Sequence, residues 1–177
     1  MIPTTRIGTL LHADHMATIQ TLEALERRIA GARKPPALDA ALSGWLGDLA
    51  ATLRAEVETH FGFEEAHIFP LFLAQGQTGI VEILSQEHET ILPLARRVAA
   101  LAERAVADGR FAESDWGEFR MKGGELIERE LFHIQKEEMG LLAGVAMLVD
   151  AGQDAALAEA FAATTAGQRD DAAALSR

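Results

Sequence analysis

An all-α fold, an up-down-up-down antiparallel four-helix bundle with a short C-terminal helical extension, is predicted by three features of this sequence. Apolar residues recur at alternating steps of three and four in four long segments, the period of one helix face. Gly and Pro separate those segments, and none of them alternates as a strand does. Four long helices joined by short connections pack as antiparallel neighbours. Residues 1–150 therefore read as the bundle, and 151–177 as a short helical extension with a flexible tail.

The first helix is expected after Thr5 and runs to about Ile29, with Leu11, His15, Thr18, Leu22 and Leu25 on its stripe. Gly31 and the Pro35-Pro36 pair break it. The second is expected from Leu38 to Leu73, its stripe running through Leu46, Leu53, Val57, His60, Glu64, His67 and Leu71, with Pro70 bending its last turn. A third, after "AQGQTG", carries Leu84, His88, Ile91 and Val98 and ends near Asp108-Gly109. The fourth opens around Ser114 as N-cap and carries Trp116, Phe119, Leu126, Glu130, His133, Glu137 and Gly144 towards Asp150. In the remainder, "QDAALAEAFAATTAG" reads as the appended helix and "QRDDAAALSR" as a frayed tail.

Composition removes several function classes. The net charge of −11, from 27 acidic against 16 basic residues, leaves no concentrated basic surface for a phosphate backbone, so nucleic acid is excluded as a partner. Without cysteine there is no disulfide and no thiolate metal site, so any metal here is hard or borderline. No basic-then-apolar leader opens the chain and no run nears the roughly 18 apolar residues of a membrane span. A soluble, cytoplasmic protein is expected.

The polar residues on the apolar stripes carry the chemistry. His15, His60, Glu64, His88, His133 and Glu137 stand where a bundle core normally holds aliphatic side chains, and buried carboxylates are costly unless paired or bound to metal. His60 and Glu64, like His133 and Glu137, are four residues apart and share one helix face. Forty-five residues separate His15 from His60, and 45 again separate His88 from His133. Counting from the turns, His88 and His133 share a level, His60 and His88 differ by about 4–5 Å, and His15 and His60 by about 9 Å. A shifted helix start or a splayed loop would absorb the last. One His from each helix thus converges near mid-bundle.

Coordination arithmetic then gives two metals. Four imidazoles and two carboxylates that bridge give each metal four protein bonds of about six, and a bridging oxo or hydroxo group adds a fifth, leaving an open position. Imidazole and carboxylate without sulfur suit iron, with manganese or zinc as substitutes.

The order His15, His60-x-x-x-Glu64, His88 within "EHE" and His133-x-x-x-Glu137 resembles the hemerythrin-like, HHE cation-binding domains, over roughly residues 7–148 and including "EEAHIFPLF". The resemblance implies a four-helix bundle around a non-haem di-iron centre, with His15, His60, His88 and His133 as terminal ligands, Glu64 and Glu137 as bridges, and O2 or another small diatomic such as NO as ligand. Leu92 stands where oxygen-carrying hemerythrins place a fifth His. The four-His, two-Glu set is more like the iron-sensing and iron-centre-repair branches, although the cysteine-containing N-terminal segment of many repair proteins is missing. Carriage, sensing, storage, detoxification and iron handling all use such a centre, and weak oxidase, NO or peroxide chemistry stays open beside simple binding. The sequence names no catalytic residue and no oligomeric state.

Three side candidates accompany the six. His12, one turn before His15, reads as a substitute fifth ligand or a residue that orients one. His67 lies about 10 Å along the helix from His60, too far for the same metal, and reads as a channel-lining or satisfied core His. Glu130 reads as an orienter of His133. Glu65, Glu87, Glu89 and Glu138, each next to a proposed ligand, point about 100° away from it and read as solvated or hydrogen-bonded to a ligand. Two rival readings remain. Glu64-x-x-His67 and Glu130-x-x-His133 match the spacing of ferritin-like di-iron oxidases, which also need an inward Glu from the first helix, Glu23 or Glu26, about 27 Å off level. A metal-free helical interaction module would leave Glu64 and Glu137 desolvated without counter-charge.

Overall fold

The computed structural model describes the backbone of residues 5–175; side chains at 55 and 56 and from 165 onward fall outside the described set. Every regular element among the described residues is helical: α1 (Arg6–Ile29), α2 (Ala40–Phe63), α3 (Phe69–Ala74), α4 (Thr78–Asp108), α5 (Glu113–Lys136), α6 (Leu142–Leu148) and α7 (Ala151–Leu175). A π turn, Glu64–Ile68, joins α2 to α3, and a second, Glu137–Leu141, joins α5 to α6.

Local chemistry fixes the ends. Asp39, not Leu38, opens the second helical stretch, its carboxylate accepting the Leu42 N–H at 2.7 Å as an N-cap. Ser114 is not the N-cap expected of it. The Trp116 N–H already bonds the Ala112 carbonyl at 2.9 Å, so the helix begins before Ser114, whose hydroxyl faces Asp115 instead. Gly76 and Gly109 close α3 and α4 with φ of +70° and +64°. There the N–H groups of Gln77 and Arg110 reach back five residues to Phe72 and Ala105, the Schellman arrangement that only a left-handed residue permits cheaply.

The chain forms two compact units, each assembled from distant segments. The first comprises Met1–Ala17, Thr59–His88 and Phe132–Arg177. Its apolar centre draws Leu11 from α1, Phe69 and Phe72 from α3, Leu84 from α4 and Val145 from α6. Phe161 of α7 is buried in the same cluster and meets Phe63 edge-on at 4.9 Å, so the C-terminal helix is part of this core. The expected flexible tail, 168–177, lies outside the described side chains, and its last two residues outside the described backbone.

Two carboxylates tie α7 in place. Asp150 accepts the N–H groups of Gly152 and Gln153, and Gln153 accepts the Asp150 N–H in return, a capping box. Asp154 accepts the Arg6 and Ile7 N–H groups, both at 2.9 Å, and so caps α1 from 147 residues away. The first turn of α1 has no acidic residue of its own. Asp154→Ala is therefore expected to lower stability by about 1 kcal/mol, the worth of a cap, or about 2–4 °C in a thermal melt at this size. An unchanged midpoint would mean that water replaces the cap.

The second unit comprises Thr18–Glu58 and Glu89–Leu131. The Trp116 indole N–H donates to the Ala32 carbonyl and Arg120 to the Ile29 carbonyl, satisfying acceptors at the end of α1. Arg54 forks onto Glu103, and Arg97 onto Glu118. Glu23 and Glu26, which a ferritin-like site would require inward, are exposed in this unit.

Candidate metal centre

Six residues singled out by their place on the apolar stripes come together in the first unit. His15 lies on α1, His60 near the end of α2, His88 on α4 and His133 on α5, while Glu64 and Glu137 each open a π turn. All six are buried, the two glutamates completely. Their donor atoms form two groups, each within 4.8 Å: His15 and His60 in one, His88 and His133 in the other, with Glu64 and Glu137 belonging to both. The Nε2 atoms of His15 and His60 are 3.1 Å apart, and those of His88 and His133 3.2 Å. The offset of about 9 Å expected between His15 and His60 does not keep the two rings apart; α1 and α2 are joined by residues 30–39 rather than by a tight turn, so counting from the helix ends does not fix their levels.

Each glutamate divides its oxygens between the groups. Glu64 turns Oε1 to His60 at 3.4 Å and Oε2 to His88 at 3.5 Å. Glu137 turns Oε2 to His15 at 3.1 Å and Oε1 to His133 at 2.9 Å. That is the orientation in which a carboxylate spans two cations.

The other imidazole nitrogen of every histidine is held by a further carboxylate. His60 Nδ1 donates to Asp14 at 2.7 Å, His88 Nδ1 to Glu65 at 2.8 Å, His133 Nδ1 to Glu87 at 3.0 Å and His15 Nδ1 to Glu138 at 2.7 Å. An ionised carboxylate only accepts, so the proton lies on Nδ1 and the Nε2 lone pair points inward. Metal-binding histidines are oriented and made more basic in this way. The four bonds close a ring. Asp14 of α1 holds a histidine of α2, Glu65 of the first π turn one of α4, Glu87 of α4 one of α5, and Glu138 of the second π turn one of α1.

The inward face requires positive charge. No oxygen of Glu64 or Glu137 has a hydrogen-bond partner, and lone pairs on Nε2 facing them at these distances repel unless a cation or a proton stands between. Without metal, protons take the place. Burial alone would lower the pKa of His60, but Glu64, Asp14 and Glu137 raise it well above its ordinary value. Burial likewise opposes the charge on His88, which Glu137 and Glu64 nonetheless push up to about 9. Burial would raise Glu137, yet His133, His15 and His88 hold its carboxyl well below the usual range. A divalent cation on each side supplies the same charge, and the buried, oxygen-and-nitrogen donor set fits metal.

Aromatic rings complete the walls. Phe61 lies flat on His88, with centroids 3.8 Å apart and planes within 5°, and meets His133 edge-on at 5.2 Å. Sequence reasoning missed Phe61 and Asp14 and left Glu65, Glu87 and Glu138 between a solvated role and a bond to a cluster residue; all four carboxylates bond a cluster histidine. Their signal was position, each carboxylate standing next to a cluster residue. The rotation of about 100° that turns it from its own neighbour aims it at a histidine of another helix.

The side candidates fare differently. His12 is half-buried and donates to Glu138 at 2.9 Å, one residue removed from the cluster through His15. His67 is exposed, its ring centroid 4.9 Å from that of Phe63, and is not the satisfied core histidine that the periodicity implied. The wider π turn advances each residue by less than 100° and carries it off the stripe. Glu130 is buried in the second unit, and the orienting carboxylate of His133 is Glu87.

Both π turns start on a shared glutamate. Their i→i+5 bonds run from the Phe69 N–H to the Glu64 carbonyl and from the Leu142 N–H to the Glu137 carbonyl. Such turns recur inside helices at functional sites. Pro70 follows the first, at the start of α3, where a missing N–H costs least.

Among known protein families, the one described as the hemerythrin HHE cation-binding domain matches this chain over residues 6–145. No curated protein matches it.

Proposed function

From the premise that this chain belongs to the hemerythrin HHE cation-binding family, we propose that it is a non-haem di-iron protein that takes up O2 or another small diatomic. His15 and His60 hold one iron, His88 and His133 the other, and Glu64 and Glu137 span both. Residues 1–150 form an up-down-up-down bundle around the pair, with α7 as an appended helix. The observation that carries this reading is that two buried histidine pairs share the same two carboxylates, whose four oxygens lack any hydrogen bond. Bound there, iron supplies open coordination positions for a small ligand. The protein's own contribution is to fix the four imidazoles by their Nδ1 bonds, to keep Nε2 free, and to exclude water with Phe61 and Phe69. Leu92, in place of a fifth histidine, favours sensing, storage, detoxification or iron handling over bulk oxygen carriage. The ferritin-like alternative is disfavoured by the exposure of Glu23 and Glu26. No helix among the described residues is long and apolar enough to cross a membrane.

Elemental analysis of anaerobically purified, iron-reconstituted protein, with absorption spectra before and after admitting air, tests the reading. Two irons per chain and a near-ultraviolet charge-transfer band that grows in air are expected. Absence of iron, or a single zinc, would overturn it.

A further inference from the structure

Resting on the two-metal reading, we infer that the two metal positions are inequivalent and that Lys136 is the positioning residue that weakens one of them. The ring of carboxylates makes the four histidines alike in pattern but not in charge. Among the described residues, Asp14 gives its whole carboxylate to His60. Glu138 serves His15 at 2.7 Å and also accepts from His12 at 2.9 Å. On the other side, Glu65 behind His88 is 53% exposed, so water screens it. Glu87 behind His133 accepts the Lys136 ammonium at 2.6 Å on Oε1, shorter than its 3.0 Å bond to His133 on Oε2.

An imidazole whose Nδ1–H faces a full negative charge is a stronger Nε2 donor, and loss of that partner weakens metal binding by about 10- to 100-fold. An ammonium at contact distance takes part of that charge from Glu87. His12 shares Glu138 through an imidazole N–H at 2.9 Å, longer than the 2.7 Å bond of His15, and so takes less. Both orienting carboxylates of the His88–His133 position are therefore weakened, one by water and one by Lys136. At the His15–His60 position one of the two is undivided. Metal fills the His15–His60 position first.

Zinc binding, measured at about pH 8 by competition with a chromophoric chelator, avoids redox chemistry and reads the two steps separately. Lys136→Met, which keeps the apolar stem and removes the charge, is expected to tighten the weaker step by several-fold to about tenfold and leave the tighter one within about twofold. Lys136→Arg should behave as the parent protein. To assign the steps, His133→Ala, which retains the His15–His60 position, is expected to bind its one zinc more tightly than His15→Ala. A Lys136→Met protein with an unchanged weaker step, or tighter zinc binding by His15→Ala, would overturn the inequivalence while leaving the two-metal site standing. A parent protein that binds no zinc and no iron would instead overturn the two-metal reading itself.

Discussion

Replacing Glu137 by alanine is expected to empty both metal positions at once, whereas His133→Ala should leave one filled. The difference follows from how the groups share their donors. Glu137 puts one oxygen into each group, 3.1 Å from His15 Nε2 and 2.9 Å from His133 Nε2. Its loss leaves each position with three protein donors and removes half of the negative charge that two adjacent dications need between them. His133 belongs to one group only. The metal-loaded parent protein should melt higher than the metal-free one, by about 2.7 kcal/mol for each metal whose free concentration stands at 100 times its dissociation constant, so about 5.4 kcal/mol for two, or roughly 11–22 °C at 2–4 °C per kcal/mol. In Glu137→Ala that increment should vanish, so that melts with and without iron superimpose. Metal content by elemental analysis and paired melts read both outcomes. Two irons retained by the alanine variant would show that Glu137 is not shared between metals.

The helices and the six cluster residues were legible because both depend on short-range periodicity. An apolar repeat at 3.6 residues places Leu11 and His15, or Val57, His60 and Glu64, on one face whatever the partner helix is. The irregular turns were not legible in the same way. A regular 3.6-residue repeat extended through Glu64 puts His67 on the buried stripe, and only the π turn removes it. Pro70 and Gly140 were the available hints, both helix-weakening residues a few positions after a Glu-Glu pair. Which histidine each orienting carboxylate serves was hidden for another reason. Asp14, Glu65, Glu87 and Glu138 make no sense within their own helices, since each serves a histidine at least 23 residues away. The same holds for Asp154, which looks like an ordinary first-turn acid of α7 and in fact caps α1. Pairings across such separations are set by how helices pack, and one chain's pattern carries no record of them.

Gly144→Ala should destabilise the first unit although alanine is the better helix former. In an unhindered helix the exchange would gain about 1 kcal/mol. Here a Cβ at position 144 would stand 2.5 Å from Cε1 and 2.6 Å from Cζ of Phe72, well inside van der Waals contact. The ring cannot swing away cheaply, because Phe72 is almost wholly buried in the apolar cluster with Leu84, Leu142 and Val145. Either α6 lifts from α3 or the ring leaves its rotamer, and overpacking of this kind costs about 1–3 kcal/mol. Glu137, one of the two shared carboxylates, lies seven residues before Gly144, so a shift of α6 would be felt at the metal centre as well as in the melt. The expected result is a midpoint lower by about 2–12 °C together with weaker metal retention. Phe72→Leu removes the ring atoms that the new methyl would strike. Alone it should cost stability through lost burial; combined with Gly144→Ala it should cost less than the two single changes summed, because the clash is gone. Strict additivity of the pair would show that some contact other than the Phe72 ring limits position 144.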